Sequence, residues 1–185
     1  MKKINIYSFC DNSKSSIRPI LKGAYCKDGF ITATDAYIAF KIREKYPTEN
    51  EDKVVTKDGE IIGDGSKYID MDSIFAQYAI NDDDKLLSYD MFDNIFADYD
   101  AKAKKDKDFW AVCLIGEKAH FLIKHVEKFI KACKARDMDL YLSNNKLYPN
   151  YTCLYGKNDD GEMGLLVQMI INKELYPYLV VYKID

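Results

Sequence analysis

Residues Pro19 to Arg43 read Pro-Ile-Leu-Lys-Gly-Ala-Tyr-Cys-Lys-Asp-Gly-Phe-Ile-Thr-Ala-Thr-Asp-Ala-Tyr-Ile-Ala-Phe-Lys-Ile-Arg. Lys27-Asp28-Gly29 separates two short apolar runs, and Asp-Gly in that setting predicts a hairpin because Gly accepts the positive φ of a tight turn. Thr34-Asp35-Ala36 predicts a second turn. After that turn every second residue is apolar, at Ile38, Phe40 and Ile42. Such alternation places one face in a core and the other in water, so this stretch predicts a three-stranded antiparallel meander.

The remainder of the chain predicts further strands with two main helices among them. The expected elements are a first strand over Met1 to Tyr7, a hairpin around Asp58-Gly59, a short helix over Met71 to Ala79 capped by Asp70, a helix from Ser88 to about Lys105 with Ser88 as N-cap, a strand over Trp110 to Ile115 closed by Gly116, a helix over Phe121 to Arg136, strands over Asp139 to Leu142, Tyr151 to Tyr155 and Met163 to Ile171, and a final strand or arm within Leu175 to Ile184. Strands outnumber helices, and the helices follow a run of strands. This order favours an α+β fold, with an antiparallel sheet and two main helices packed on one face, over alternating βαβ units.

The bulk composition excludes several classes of protein. The chain has 185 residues, a net charge of −3 and 48% hydrophobic residues, which excludes a disordered chain and a globally basic nucleic-acid binder. No apolar run approaches the roughly 20 residues that a membrane span needs. The five cysteines are odd in number, widely spaced and without a C-x-x-C pair. We therefore expect reduced thiols and a cytoplasmic location.

The predicted helix over residues 121–136 carries a row of lysines. At 100° per residue its apolar side chains gather on one side, and the opposite side presents Lys124, Lys128, Lys131 and Lys134. Residues 102–136 contain ten basic and four acidic side chains, a net charge of +6, which leaves −9 for the rest of the chain. Such asymmetry is typical of a local phosphate-binding face. The plain alternative is a solubilising helix surface, and the other predicted helix begins with an acidic stretch that does not suit DNA.

The residue pattern of the meander resembles that of the bacterial DNA polymerase III β sliding clamp family. The residues that carry the resemblance are Pro19, Leu21, Gly23, Gly29 and Ala33-Thr34-Asp35, followed by the alternating strand. Near the other end, Tyr148 to Leu154 and Gly164 to Ile170 follow the order and lengths of the last strands of a clamp domain. The chain departs from the family at Asp64 to Phe75, where two expected prolines are missing, and at Ile170, which stands in place of a proline.

The resemblance spans roughly Ile17 to Ile171 and implies one clamp-like domain over residues 1–185. Residues of about 44–88 would be insertions and residues of about 172–185 a C-terminal extension. In sliding clamps, helices of this kind contact DNA phosphates without reading sequence, so the resemblance implies double-stranded DNA, contacted by Lys124, Lys128, Lys131 and Lys134, and replication or repair proteins as partners. It also implies several copies in a ring, which we expect to join through edge strands.

Motifs for catalysis or metal binding are not recognisable. His120 and His125 lack metal-ligand spacing and are expected at the surface. Residues 63–67 lack the full phosphate-loop spacing and are interpreted as a turn. We therefore expect a protein that is not an enzyme and that binds no metal and no cofactor. Two alternatives to DNA association stay open: a protein interaction module that kept the fold, and a small nuclease using Asp70 and Asp72 or Asp82-Asp83-Asp84.

Overall fold

The computed structural model describes residues 2–78, 84–106, 109–116, 119–171 and 179–184. Three α-helices are described: α1 (Met71–Gln77), α2 (Asp93–Ala103) and α3 (Ile123–Ala135). The strands are β1 (Ala24–Lys27), β2 (Phe30–Thr34), β3 (Ile38–Arg43), β4 (Lys53–Val55), β5 (Ile61–Asp64), β6 (Lys85–Leu87), β7 (Ala111–Ile115), β8 (Ala119–Leu122), β9 (Asp139–Asn144), β10 (Thr152–Lys157), β11 (Met163–Val167) and β12 (Val180–Ile184). Short 3-10 turns lie at Ile6–Phe9, Pro19–Lys22, Thr48–Asn50, Gly65–Lys67 and Tyr89–Phe92.

Nine of the strands form one sheet, in the order β5-β4-β1-β2-β3-β11-β10-β9-β6. Every neighbouring pair in it is antiparallel. A second sheet has the order β12-β7-β8, in which β12 runs parallel to β7. The protein is therefore α+β with a large antiparallel sheet, as the sequence predicts.

Local turn chemistry explains the meander. Asp28 and Gly29 have φ of 52° and 76°, the two positive values that a type I′ turn requires. In the next turn, the Asp35 carboxylate accepts the backbone N–H groups of Tyr37 at 2.9 Å and Ile38 at 2.8 Å. The second Asp-Gly hairpin is also present between β4 and β5, where Gly59 has φ of 84°.

The large sheet has an apolar layer on each face. On one face, Phe40 of β3 packs against Phe9, with ring centroids 4.5 Å apart, and against Phe129 of α3, at 5.2 Å. Helices α2 and α3 belong to this same core cluster. On the opposite face, Phe75 of α1 meets Tyr155 of β10 at 6.3 Å. The sheet is thus covered by α2 and α3 on one side and by the shorter α1 on the other.

Four details of the sequence prediction are wrong. Residues 2–5 form no strand, and Ile6–Phe9 is a 3-10 turn. The strand β8 occupies residues expected at the start of the second helix, so α3 begins at Ile123. Ser88 makes no side-chain cap and precedes the 3-10 turn at Tyr89–Phe92 rather than the α-helix itself. Both histidines are partly buried rather than exposed.

The cysteines and the chain's later strands agree with the sequence. All five cysteines are buried free thiols. The strands β9, β10 and β11 lie where they were predicted, within two residues at the start and up to four at the end. The expected final strand is β12, while residues 172–178 of the predicted extension lie outside the described residues.

Candidate functional site

Three of the four predicted DNA-contacting lysines project from α3 into solvent. Lys124, Lys131 and Lys134 are exposed. Lys131 pairs with Glu127 one turn before it, and Lys134 lies 3.2 Å from Asp93 of α2. Surface pairs of this kind contribute about 0–1 kcal/mol each, so a phosphate could displace them.

The fourth lysine is turned inward. The Lys128 ammonium donates a hydrogen bond to the Ser8 carbonyl at 2.5 Å and lies 4.5 Å from the centroid of the Phe9 ring. Burial lowers the pKa of Lys128, and the nearby Asp35 carboxylate opposes that shift. Lys128 therefore fastens α3 to the N-terminal 3-10 turn, and the structure brings only part of the predicted lysine row to the surface.

The aspartates considered for a nuclease have other partners. Asp70 caps α1 by accepting the N–H of Ser73 at 3.1 Å and its hydroxyl at 2.5 Å, and these bonds lower the pKa of Asp70. Asp72 pairs with Lys41 at 2.6 Å. Asp84 accepts the Ser143 hydroxyl, while residues 82–83 lie outside the described residues. Within the described ranges, no three His, Cys, Asp or Glu side chains are arranged to hold a metal ion.

The phosphate-loop candidate is a turn, as expected. Gly63 and Asp64 end β5, and Gly65–Lys67 is a 3-10 turn capped by the Asp64 carboxylate. No long helix follows it directly, so this segment lacks the strand–loop–helix geometry that cradles phosphate.

A groove that the sequence did not reveal lies on the α1 side of the sheet. It has a volume of about 550 Å³. Its floor is formed by Ala39 of β3 with Leu165 and Val167 of β11, and one wall is formed by Ile74 and Tyr78 at α1. This lining is mainly apolar, which is typical of sites that bind ligands or protein segments.

Large apolar side chains stand exposed in or next to the chain segments that line this groove. Tyr37, which lines it, is 54% exposed, and Ile17, next to the lining residue Arg18, is 92% exposed. Leu147 and Tyr148, which follow the lining residue Asn145, are 66% and 61% exposed. Scattered exposed apolar residues are common, but several in the chain segments that line one apolar groove are typical of an interaction surface.

The groove's rim is held by hydrogen bonds. The Asn145 side chain accepts the N–H groups of Leu147 and Tyr148, both at 2.9 Å. The N–H of Lys146 donates to the Gln77 carbonyl of α1 at 2.8 Å. On the other side, the N–H of Val167 donates to the Tyr37 carbonyl at 3.0 Å. The groove is therefore a preformed feature of the fold.

One charged side chain lines the groove. Arg18 belongs to no ion pair within the described parts of the chain. A lone guanidinium beside an apolar surface suits a ligand that combines large apolar groups with a carboxylate. In the sequence, the traces of this site were apolar residues outside the predicted strands and helices, namely Ile17, Leu147 and Tyr148.

Comparison with known proteins gives no relative: no protein-family model, no curated protein and no solved structure matches the chain. Among the helices that the structure describes, none has the length and apolar character needed to cross a membrane.

Proposed function

We propose that the chain is a non-enzymatic interaction module with a clamp-like fold, which binds an extended segment of a partner protein in the groove between α1 and the sheet. The observation that carries the proposal is the apolar groove lined by the exposed Tyr37, with the exposed Ile17, Leu147 and Tyr148 one to three residues along the chain from its lining residues. The resemblance of the sequence to sliding clamps suggests replication or repair proteins as the source of the bound segment.

The partner segment should contain two or more large apolar residues and one acidic residue. The apolar residues would cover the floor at Ala39, Leu165 and Val167, and the carboxylate would reach Arg18. A carboxylate held by a guanidinium makes paired, charge-assisted hydrogen bonds, which fixes the direction in which the segment lies.

Selection of displayed dodecapeptides on the purified chain tests this proposal. Selected peptides should share the apolar and acidic pattern, and their affinity is then measured by fluorescence polarisation. Truncating an aromatic residue central to an interface costs about 2 kcal/mol, so Tyr37→Ser should weaken binding about 30-fold. Arg18→Ala should weaken it less and should remove the preference for an acidic residue.

A matched control variant shows whether the loss of binding is specific to the groove or follows from removing any exposed apolar side chain. Ile61→Ser alters an apolar side chain that is 49% exposed on β5 and does not line the groove. Its affinity for the selected peptides should equal that of the wild type. Peptides that bind Tyr37→Ser and the wild type equally would contradict the proposal, as would a selection that yields no shared pattern.

Sequence-neutral contact with double-stranded DNA through α3 is a second candidate function. It is favoured by Lys124, Lys131 and Lys134, which share one exposed helix surface within the segment of net charge +6. If each ammonium meets one phosphate, the slope of log affinity against log salt should be about −2.7. Lys128 is excluded from this set because it already binds Ser8.

Anisotropy of a labelled 30-base-pair duplex at several salt concentrations tests the DNA candidate. The triple variant Lys124→Glu, Lys131→Glu, Lys134→Glu should lose binding. A control triple variant with the same change in net charge, at the exposed Lys45, Lys57 and Lys85, should retain it. Equal loss in both variants would show only a general charge effect and would overturn a site on α3.

A further inference from the structure

Tyr37 links the groove to a histidine on the opposite side of the β2–β3 turn. Tyr37 lines the groove, and the centroid of its ring lies 5.8 Å from the centroid of the His125 ring on α3, with the two planes tilted by 42°. The backbone that carries Tyr37 is fixed by the Asp35 carboxylate, which accepts the N–H groups of Tyr37 and Ile38. The position of the Tyr37 ring therefore depends on both the turn and His125.

Charged groups of both signs face His125. From the β2–β3 turn comes the Asp35 carboxylate, and from α3 itself comes Lys128, one turn along, while Lys124, the preceding residue, is exposed. Burial lowers the pKa of His125, Lys128 lowers it further, and Asp35 raises it. The pKa of His125 therefore lies below its ordinary value, and the imidazole is neutral at pH 7.

We infer that protonation of His125 strengthens binding in the groove by holding Tyr37, which lines the groove, in its present position. The inference rests on the proposed function of the groove. A cation within about 6 Å of an aromatic centroid is attracted to the ring, and the neutral imidazole lacks this attraction. Because Tyr37 already lines the groove while its ring lies against His125, a stronger contact favours the binding-competent arrangement.

The expected size follows from the strength of a cation–π contact. That strength corresponds to about a two- to fivefold gain in affinity when the neutral imidazole becomes protonated. Linkage is reciprocal, so a bound peptide should raise the midpoint of His125 protonation by about 0.3–0.7 pH units.

The first test needs no ligand. The ring proton signals of the two histidines are followed by NMR between pH 4.5 and 8, with His125→Asn used to assign them. Tyr37→Leu should lower the midpoint of His125, whereas Tyr37→Phe, which keeps the ring, should leave it near the wild-type value. An unchanged midpoint in Tyr37→Leu overturns the inference even if the groove binds peptides.

The second test measures the affinity of a rhodamine-labelled dodecapeptide selected on the groove at pH 7.5. The wild type should bind it about two- to fivefold more tightly at a pH below the His125 midpoint found by NMR, and His125→Asn should show no such gain. The same gain in both proteins overturns the inference. Absence of binding at pH 7.5 in every variant contradicts the proposed function instead. In that case the ligand-free titration alone shows whether protonation of His125 depends on the Tyr37 ring.

Discussion

At the residue scale, the turn that carries Tyr37 contains a strained backbone. Ala36 has φ of 76°, in the left-handed region that costs a non-glycine residue about 1–2 kcal/mol. The Asp35 carboxylate and the Thr34 hydroxyl, which accepts the Ala36 N–H at 3.0 Å, stabilise the turn against this cost. A residue able to relax there should stabilise the whole protein.

Replacing Ala36 by glycine should raise the free energy of unfolding by about 0.5–1 kcal/mol. Glycine removes the left-handed strain but adds about 0.4–1 kcal/mol of unfolded-chain entropy, so the gain is partial. Urea unfolding followed by circular dichroism measures it. The same change at Ala39, inside β3, should instead cost about 1 kcal/mol, and a loss of stability at Ala36 would contradict the argument.

Glu162 joins three parts of the fold from a fully buried position. Its carboxylate accepts hydrogen bonds from the Arg136 guanidinium at the end of α3, from the Arg43 backbone N–H at 2.9 Å and from the Asn158 side-chain amide at 2.9 Å. Burial raises the pKa of Glu162, but the hydrogen bonds from Arg136, Asn158 and Arg43 outweigh burial and set the pKa below its ordinary value. The charged form therefore stabilises the folded state.

Glu162→Gln should lower the free energy of unfolding by about 3–5 kcal/mol, because it leaves the Arg136 charge partly buried without its partner. A lowered carboxyl pKa contributes stability that is present above the ordinary value of 4.5 and is lost as the pH falls through the folded value. Wild-type stability should thus fall in acid more steeply than that of the variant. Urea unfolding at several pH values checks this, with the exposed Glu60→Gln as control.

At the element scale, local patterns predicted most of the structure. The Asp-Gly turns, the alternation in β3 and the apolar stripe of α3 are short-range features, and each fixed its element. The strand β8 was not predicted because Phe121 and Leu122 continue the helical spacing of α3. In the structure they pair with Cys113 and Val112 of β7 and so belong to a sheet. Parallel pairing of β12 with β7 joins residues nearly 70 apart, which no local pattern indicates.

The lysines of α3 show the same limit. Spacing placed Lys128 correctly on the helix but could not reveal its partner Ser8, which lies 120 residues away. The inward direction of this one side chain divides a regular row into a structural lysine and three exposed ones.

Lys128→Met should therefore lower the free energy of unfolding by about 1.5–3 kcal/mol, since the Ser8 carbonyl loses a charged donor. Lys131→Met removes a lysine from the same helix whose only described contact is the surface pair with Glu127, and it should change stability by less than about 1 kcal/mol. Thermal unfolding of the two variants compares them directly. Equal effects would mean that Lys128 does not fasten α3 to the N-terminal turn.

At the scale of the whole molecule, the groove arises from segments far apart in sequence. Arg18, Tyr37, α1, Asn145 and β11 meet only because β3 pairs with β11 in the centre of the large sheet. The strands are recognisable in the sequence but their neighbours in the sheet are not, so the row of lysines on α3 is visible in the sequence and the groove is not.

The same sheet limits how copies of the chain can join. Nine strands that alternate in direction leave the two edge strands, β5 and β6, running the same way. A ring of copies about an axis along the strands would pair β5 with β6 in parallel, which is slightly less stable per residue than antiparallel pairing. A two-fold axis through the sheet pairs an edge with its own copy in antiparallel register. The β6 edge carries Leu86, 61% exposed, whereas β5 follows a register irregularity in its pairing with β4.

We therefore expect any association through sheet edges to be a two-fold dimer through β6. In that arrangement Leu86 lies opposite its own copy, with Cβ atoms about 4.5–5.5 Å apart. Leu86→Cys should form a disulfide-linked dimer under mild oxidation, since the five native thiols are buried. Light scattering of the Leu86→Cys protein should give twice the mass of one chain. Ile61→Cys on β5 is the matched control and should stay monomeric.

Ladders of three or more copies from the double variant Ile61→Cys, Leu86→Cys would contradict the dimer and favour ring closure. A wild-type chain that remains monomeric at every concentration, with no cross-linking at Leu86, would contradict edge association altogether.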